Sequence, residues 1–113
     1  MMDINSIGEK LSKNIGEFLV SIQTTRAVNR DAFEVIDQSA QQLARALKGV
    51  DLVPKALLNE LHVTAKVLRA EAPYIKAGSP TLEEMANRIE MTFDLILRGE
   101  CHDDRKPGVP RVI

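Results

Sequence analysis

The side chains suited to metal binding or catalysis are concentrated in one short segment, ECHDD, at residues 100–104. It contains the only cysteine of the chain, one of its two histidines and three carboxylates. Zinc and other transition metals use these ligand types. However, consecutive residues rarely converge on one ion, and ligands in protein sites are usually spaced along the chain. The segment is therefore interpreted as the polar exit from a helix, with no metal and no cofactor expected.

The sequence gives equally little support to an enzyme. Cys101 and His102 are adjacent, whereas a nucleophile and its base normally meet through the fold and are oriented by a third group. His62 is isolated within a helical pattern. The neighbouring carboxylates Glu83 and Glu84 would point about 100° apart on a helix, so they would not share a site. The sequence has neither a glycine-rich phosphate loop nor a spaced His-Glu set.

Composition narrows the class of protein further. The chain has 113 residues, and its 15 basic and 16 acidic side chains nearly cancel, so no overall field favours nucleic acid or an anionic membrane. No apolar stretch approaches the roughly 20 residues that span a bilayer. The first residues lack the charged and apolar regions of a signal peptide, and one cysteine fits a reducing compartment. A cytoplasmic protein without membrane contact is expected.

Apolar residues recur every three or four positions in four segments, which predicts four helices at about 4–27, 31–48, 54–72 and 80–98. No stretch shows the sustained alternation that is typical of strands. Short connections favour antiparallel neighbours, so the predicted fold is all-α and resembles a four-helix bundle. A less regular helical fold, or two helical hairpins joined as a dimer, also fits the pattern.

Two helices carry features beyond a single apolar stripe. In the first helix, Gly8, Ser12 and Gly16 recur every four residues. This row indicates either close approach of a neighbouring backbone or simply a weak helix. The third helix has a second apolar face, formed by Ala56, Val63, Val67 and Ala70. It is therefore predicted to be central in the fold or to contact another chain.

The chain ends in a segment that is unlike the helices. Residues 100–113 are predicted to form an extended C-terminal tail, because Pro107 and Pro110 exclude a continued helix. Val109, Val112 and Ile113 are apolar, which a purely solubilising tail would not need. Either the tail folds back over the open end of its own bundle, or it docks in a groove of another chain.

These observations predict one helical domain over residues 1–99 and the tail over residues 100–113. The predicted function is that of a non-enzymatic protein–protein interaction module that acts as a homodimer. By analogy with other small bundles, it would be a regulatory, chaperone-like or neutralising binder, as immunity proteins and antitoxins are. The predicted partner-binding residues are the basic and apolar side chains of the tail: Arg105, Lys106, Val109, Arg111, Val112 and Ile113.

The alternative hypothesis is a nucleic-acid-binding transcriptional regulator. It requires Arg26, Arg30 and Arg69 to cluster on one exposed face, because duplex binding depends on several cations that meet the phosphates together.

Overall fold

Two helical hairpins make up the computed structural model, which describes residues 3–75 and 79–104. The four helices are α1 (Ile4–Thr25), α2 (Arg30–Ala46), α3 (Lys55–Glu71) and α4 (Ser79–Leu97). Short 3-10 turns follow α3 at Ala72–Tyr74 and α4 at His102–Asp104. The predicted all-α bundle is confirmed, and each helix ends within a residue or two of its predicted limit.

Helix directions follow from the side chains that meet across the bundle. In the first hairpin, the rings of Phe18 and Phe33 are 5.9 Å apart, and α1 and α2 are antiparallel. The second hairpin pairs α3 with α4, also antiparallel. The hairpins pack with α1 beside α3 and α2 beside α4. These two pairs are parallel, because Gly8 lies against Leu57 near the starts of α1 and α3, and Arg30 donates to Thr81 near the starts of α2 and α4.

The core is aliphatic, as the low aromatic content predicts. The predicted stripes of α1 and α2 are buried almost throughout. The periodicity of α2 predicts that Val50 extends its stripe, but Val50 is 41% exposed. The reason is that the helix ends at Ala46 and Gly49 follows with a φ of +73°. Within the described ranges, none of the helices combines the length and the apolar character needed to cross a bilayer.

The second apolar face of α3 lies on the outside of the bundle. Leu61 and Leu68 are fully buried on the first face, whereas Val63 is 42% exposed, and Ala56 and Ala70 are exposed too. The prediction that α3 is central in the fold is therefore wrong. Apolar periodicity shows that a face exists, but it does not show whether another helix covers it. Contact of this face with another chain stays a prediction.

The glycine row of α1 divides into a packed part and an open part. A Cβ on Gly8 would lie 2.8 Å from a methyl carbon of Leu57 on α3, so the absence of a side chain allows close packing there. Ser12, one turn later, donates a hydrogen bond to Glu60 of α3 at 2.7 Å. A Cβ on Gly16 would meet no atom within 4 Å, and this glycine is exposed. Only the first part of the row therefore has a packing role.

We expect Gly16→Ala to stabilise the protein by about 0.5–1 kcal/mol, because alanine restricts the unfolded chain and meets no obstacle in the helix. Urea unfolding followed by circular dichroism at 222 nm measures the change. Gly8→Ala is the matched control, and its gain should be smaller because Leu57 must move. An equal gain at both positions would contradict the proposed difference in packing.

Candidate functional site

Residues 100–104, named the C-terminal strap here, fold back onto the end of the bundle where α2 and α4 finish. Cys101 is 2% exposed and belongs to the core cluster. A carboxylate oxygen of Asp104 accepts a hydrogen bond from the Cys101 backbone N–H at 2.9 Å. The other oxygen accepts from Nζ of Lys48 at 2.6 Å. The polar exit predicted for this segment is therefore also an anchor.

Two further contacts attach the strap to both helices. Asp103 accepts a hydrogen bond from Nε of Arg45 on α2 at 3.2 Å. Nε2 of His102 lies 3.0 Å from the hydroxyl oxygen of Thr92 on α4. Beside these side-chain contacts, the Gly49 N–H donates to the Gly99 carbonyl at 3.0 Å, which ties the loop after α2 to the end of α4. These contacts thus hold residues 100–104 against the end of the bundle.

The ion pair between Asp104 and Lys48 stays charged near neutral pH. The hydrogen bond from Lys48, and then that from the Cys101 N–H, hold the pKa of Asp104 below its usual range. The same bond with Asp104 raises the pKa of Lys48. Both groups therefore carry full charge across the physiological range, as a salt bridge at a chain exit requires.

The strap gathers ligand types without forming a metal cluster. The Cys101 sulfur lies 3.7 Å from a carboxylate oxygen of Asp103, but that oxygen already accepts from Arg45. Across residues 3–75 and 79–104, no three His, Cys, Asp or Glu side chains come together in a way that could hold an ion. The contacts of the strap are those of an attachment of the chain end to the bundle.

Next to the strap lies a shallow groove of about 270 Å³, named the end groove here. It runs between the loop after α2 and the last turn of α4, and it is lined by Gly49, Val50, Asp51, Val53, Ile96, Leu97, Arg98 and Gly99. Leu97, the last residue of α4, is 59% exposed. Leu52 belongs to the loop after α2 without lining the groove, and it is 90% exposed. Exposed large apolar residues grouped around a groove are typical of a binding surface.

The predicted partner-binding residues, Arg105, Lys106, Val109, Arg111, Val112 and Ile113, lie outside the described residues. Asp104, the last described residue, accepts a hydrogen bond from Lys48, and the next residue of that loop, Gly49, lines the end groove. The sequence did not indicate the groove, since its two walls are more than forty residues apart in the chain.

His62, the other residue considered for catalysis, is exposed on α3. Its ring centroid is 5.6 Å from that of Phe93 on α4.

The three arginines required by the nucleic-acid hypothesis have separate partners. Arg26 pairs with Glu71, and Arg30 donates to Thr81 at 3.1 Å. Arg69 donates to both Glu90 and Asn87 at 2.9 Å each.

Sequence reasoning missed a charged network between α2 and α4. Arg88 donates to both carboxylate oxygens of Glu34, at 2.9 and 3.2 Å, and to Asp37 at 2.6 Å. Its guanidinium also lies 5.2 Å from the centre of the Phe33 ring. The side chain of Asp37 is 3% exposed, and Gln41 donates to it at 2.9 Å. The one available signal was that Asp37 lies one turn after Phe33, at the edge of the apolar stripe.

This network joins the two hairpins through α2 and α4. The hydrogen bonds from Arg88 hold the pKa of Glu34 below its usual range. Hydrogen bonds from Arg88 to Glu34, together with the charge of Asp37, raise the pKa of Arg88 still further. Glu34 and Arg88 are therefore held in their charged forms, and Arg88 bonds both carboxylates, as in a structural ion pair.

Comparison with known proteins adds no functional assignment, since no protein-family model, no curated protein and no solved structure matches the chain.

Proposed function

We propose that the protein is a non-enzymatic module that binds another protein through its end groove and the adjoining residues 105–113. The observation that carries the proposal is that Val50 and Leu97 line one groove and are both substantially exposed, with the exposed Leu52 in the adjoining loop. Leaving such side chains in water is unfavourable, and an apolar partner segment would remove them from it.

The polar residues around the groove support a defined orientation for such a partner. Asp51 and Arg98 both line it, and they carry opposite charges. Charged groups at the rim of an apolar contact contribute mainly to orientation and to the rate of association. The end groove therefore suits a short segment that presents apolar side chains together with charges of both signs.

The partner in this proposal is a regulated or neutralised protein, in line with the class predicted from the sequence. A homodimer, with a second copy as the partner, would be another form of the same activity and stays a prediction. Light scattering on the full chain measures it, since a homodimer would have twice the 12.5 kDa mass of one chain.

A library of displayed random peptides, selected against the full chain, tests the proposal. We expect peptides rich in apolar residues to be enriched on the wild type and lost on the double variant Leu52→Asp/Leu97→Asp. Both positions are exposed, so the variant should keep its fold. The matched control is Val20→Asp/Val63→Asp, which changes two exposed valines on the helices α1 and α3. Equal enrichment on all three proteins would rule out the end groove as the binding surface.

A further inference from the structure

We infer that the outer face of α3 binds the same face of a second copy of the chain, with the two helices antiparallel and Val63 at the two-fold axis. The outer face is defined here by Ala56, Val63, Val67 and Ala70. None of the residues that line the end groove belongs to α3, so this inference does not depend on the proposed function. It gives the predicted homodimer a surface of its own.

The outer face exposes apolar side chains along most of the helix. Val63 is 42% exposed at its centre, and Val67 is half-buried. Ala56 and Ala70 are exposed towards the two ends, and Tyr74, one turn beyond Ala70, is 70% exposed. The distance between packed helices depends on the side chains at the contact, so the two alanines would allow a second helix to approach closely.

The neighbouring helix α1 leaves this face accessible. The two helices are parallel, and the hydrogen bond from Ser12 to Glu60 sets their register. Gly16 is one turn beyond Ser12, and Val63 is just under one turn beyond Glu60. A Cβ on Gly16 would meet no atom within 4 Å. At this level, therefore, α1 has no side chain that could shield Val63 from a partner.

The charges around Val63 are arranged for an antiparallel pair. In a two-fold pair centred on Val63, residues at equal distances before and after it come level with each other. Glu60 lies three residues before Val63 and Lys66 three residues after it. The carboxylate of each copy therefore comes level with the ammonium group of the other. The same symmetry brings Ala56 level with Ala70, seven residues away on either side.

The charges at the two ends of the helix follow the same symmetry. Lys55 and Glu71 lie eight residues before and after Val63, so they too would come level with each other. A parallel pair would instead place each of the four charged residues level with its own copy. Because like charges that face each other across a contact are unfavourable, the pattern favours the antiparallel pair of two identical faces.

The two carboxylates can take part although each has a partner in its own chain. Glu60 accepts a hydrogen bond from Ser12 at 2.7 Å, and Glu71 accepts one from Arg26. An ionised carboxylate has about four acceptor sites, so each can also accept from a lysine of the other copy. The bonds within the chain restrict these side chains, which lowers the entropy that a contact between copies would cost.

The size of the face predicts a dimer that dissociates on dilution. α3 has 17 residues and is therefore about 25 Å long. One helix packed against its copy buries less area than the large interfaces of obligate dimers. We therefore expect a dissociation constant on the order of micromolar.

Light scattering over a dilution series of the full chain tests the inference. We expect the mass to fall from twice 12.5 kDa to the 12.5 kDa of one chain. Val63→Asp places two carboxylates at the two-fold axis and should raise the dissociation constant at least about a hundredfold. The matched control, Val35→Asp, changes a valine that is 40% exposed on α2, and it should leave the constant unchanged. A wild type that stays a monomer at millimolar concentration, or equal effects of the two variants, would overturn the inference.

Exchange of the central charges tests the antiparallel register. At low salt, Lys66→Glu and Glu60→Lys should each weaken the dimer about tenfold, and the double variant Glu60→Lys/Lys66→Glu should restore it. In a parallel pair, each single exchange would only replace one pair of like charges by another. Single variants that dimerise as strongly as the wild type would therefore overturn the register.

Disulfide formation reports on the same register by distance. In an oxidised mixture, Ala56→Cys chains should cross-link to Ala70→Cys chains, whereas Ala56→Cys alone should not cross-link. In the antiparallel pair the two copies of position 56 are fourteen residues apart in level, or about 21 Å, which no disulfide can span. Cys101 is 2% exposed and is not expected to react. Cross-linking of Ala56→Cys to itself would show a parallel pair and overturn the inference.

Failure of this inference and failure of the proposed function give different results. Leu52→Asp/Leu97→Asp should lose the selected peptides and still dimerise, whereas Val63→Asp should bind those peptides and lose the dimer. If the Leu52 and Leu97 variant lost the dimer instead, the two copies would meet at the end groove, and the inference about α3 would be overturned.

Discussion

Arg88→Ala should lower the free energy of unfolding by about 2–3 kcal/mol, although Arg88 itself is partly exposed. The reason is its partner: Asp37 has only 3% of its side chain exposed and receives a 2.6 Å hydrogen bond from Arg88. Removing the cation leaves a buried carboxylate with Gln41 as its remaining donor among the contacts of this network. Breaking a fully buried pair typically costs about 3–5 kcal/mol, and partial exposure reduces that value. Urea unfolding at neutral pH measures the loss.

Two controls separate this buried pair from ordinary surface charge. Arg69→Ala removes an arginine whose partner Glu90 is 52% exposed, so we expect a loss below about 1 kcal/mol. The double variant Asp37→Leu/Arg88→Met should recover much of the stability, because it leaves no buried charge without a partner. A loss for Arg88→Ala no larger than that for Arg69→Ala would contradict the explanation.

The network also illustrates what a single sequence can and cannot reveal. The stripe from Phe33 to Leu43 is predictable, because a helix that buries one face repeats its apolar residues every three or four positions. The burial of Asp37 is not, because its main partner lies 51 positions away, and only the packing of α2 against α4 brings the two together. Position within an apolar stripe is a local property, whereas satisfaction of a buried charge depends on the whole fold.

In the candidate site, too, local residue patterns were predictable from the sequence, but contacts between distant parts of the chain were not. Gly99 as a helix end and the apolar residues after Pro107 could both be read from the sequence. The groove could not, because it forms where the loop after α2 meets the last turn of α4. The sequence showed five reactive or charged residues at 100–104, but not that Cys101 enters the core while Asp104 binds Lys48. Residue type suggested chemistry there, and the contacts instead support anchoring.

The anchoring role of the strap gives the second large prediction. The free energy of unfolding should be about 2 kcal/mol lower for a chain ended at Gly99 than for the full chain. The reason is that the truncation removes Cys101 from the core and exposes its neighbours to water. A chain ended at Asp104 keeps the strap and should lose less than about 1 kcal/mol. For a chain of this size, thermal unfolding should separate the two truncated proteins by several degrees.

Full-length Cys101→Ala separates burial of the thiol from the other contacts of the strap. It deletes one buried sulfur, but keeps the Cys101 N–H that donates to Asp104 and keeps the ion pair of Asp104 with Lys48. We therefore expect the free energy of unfolding to fall by about 1 kcal/mol, a loss between the losses of the two truncated chains. If the chains ended at Gly99 and at Asp104 melted at the same temperature, the strap would not stabilise the bundle.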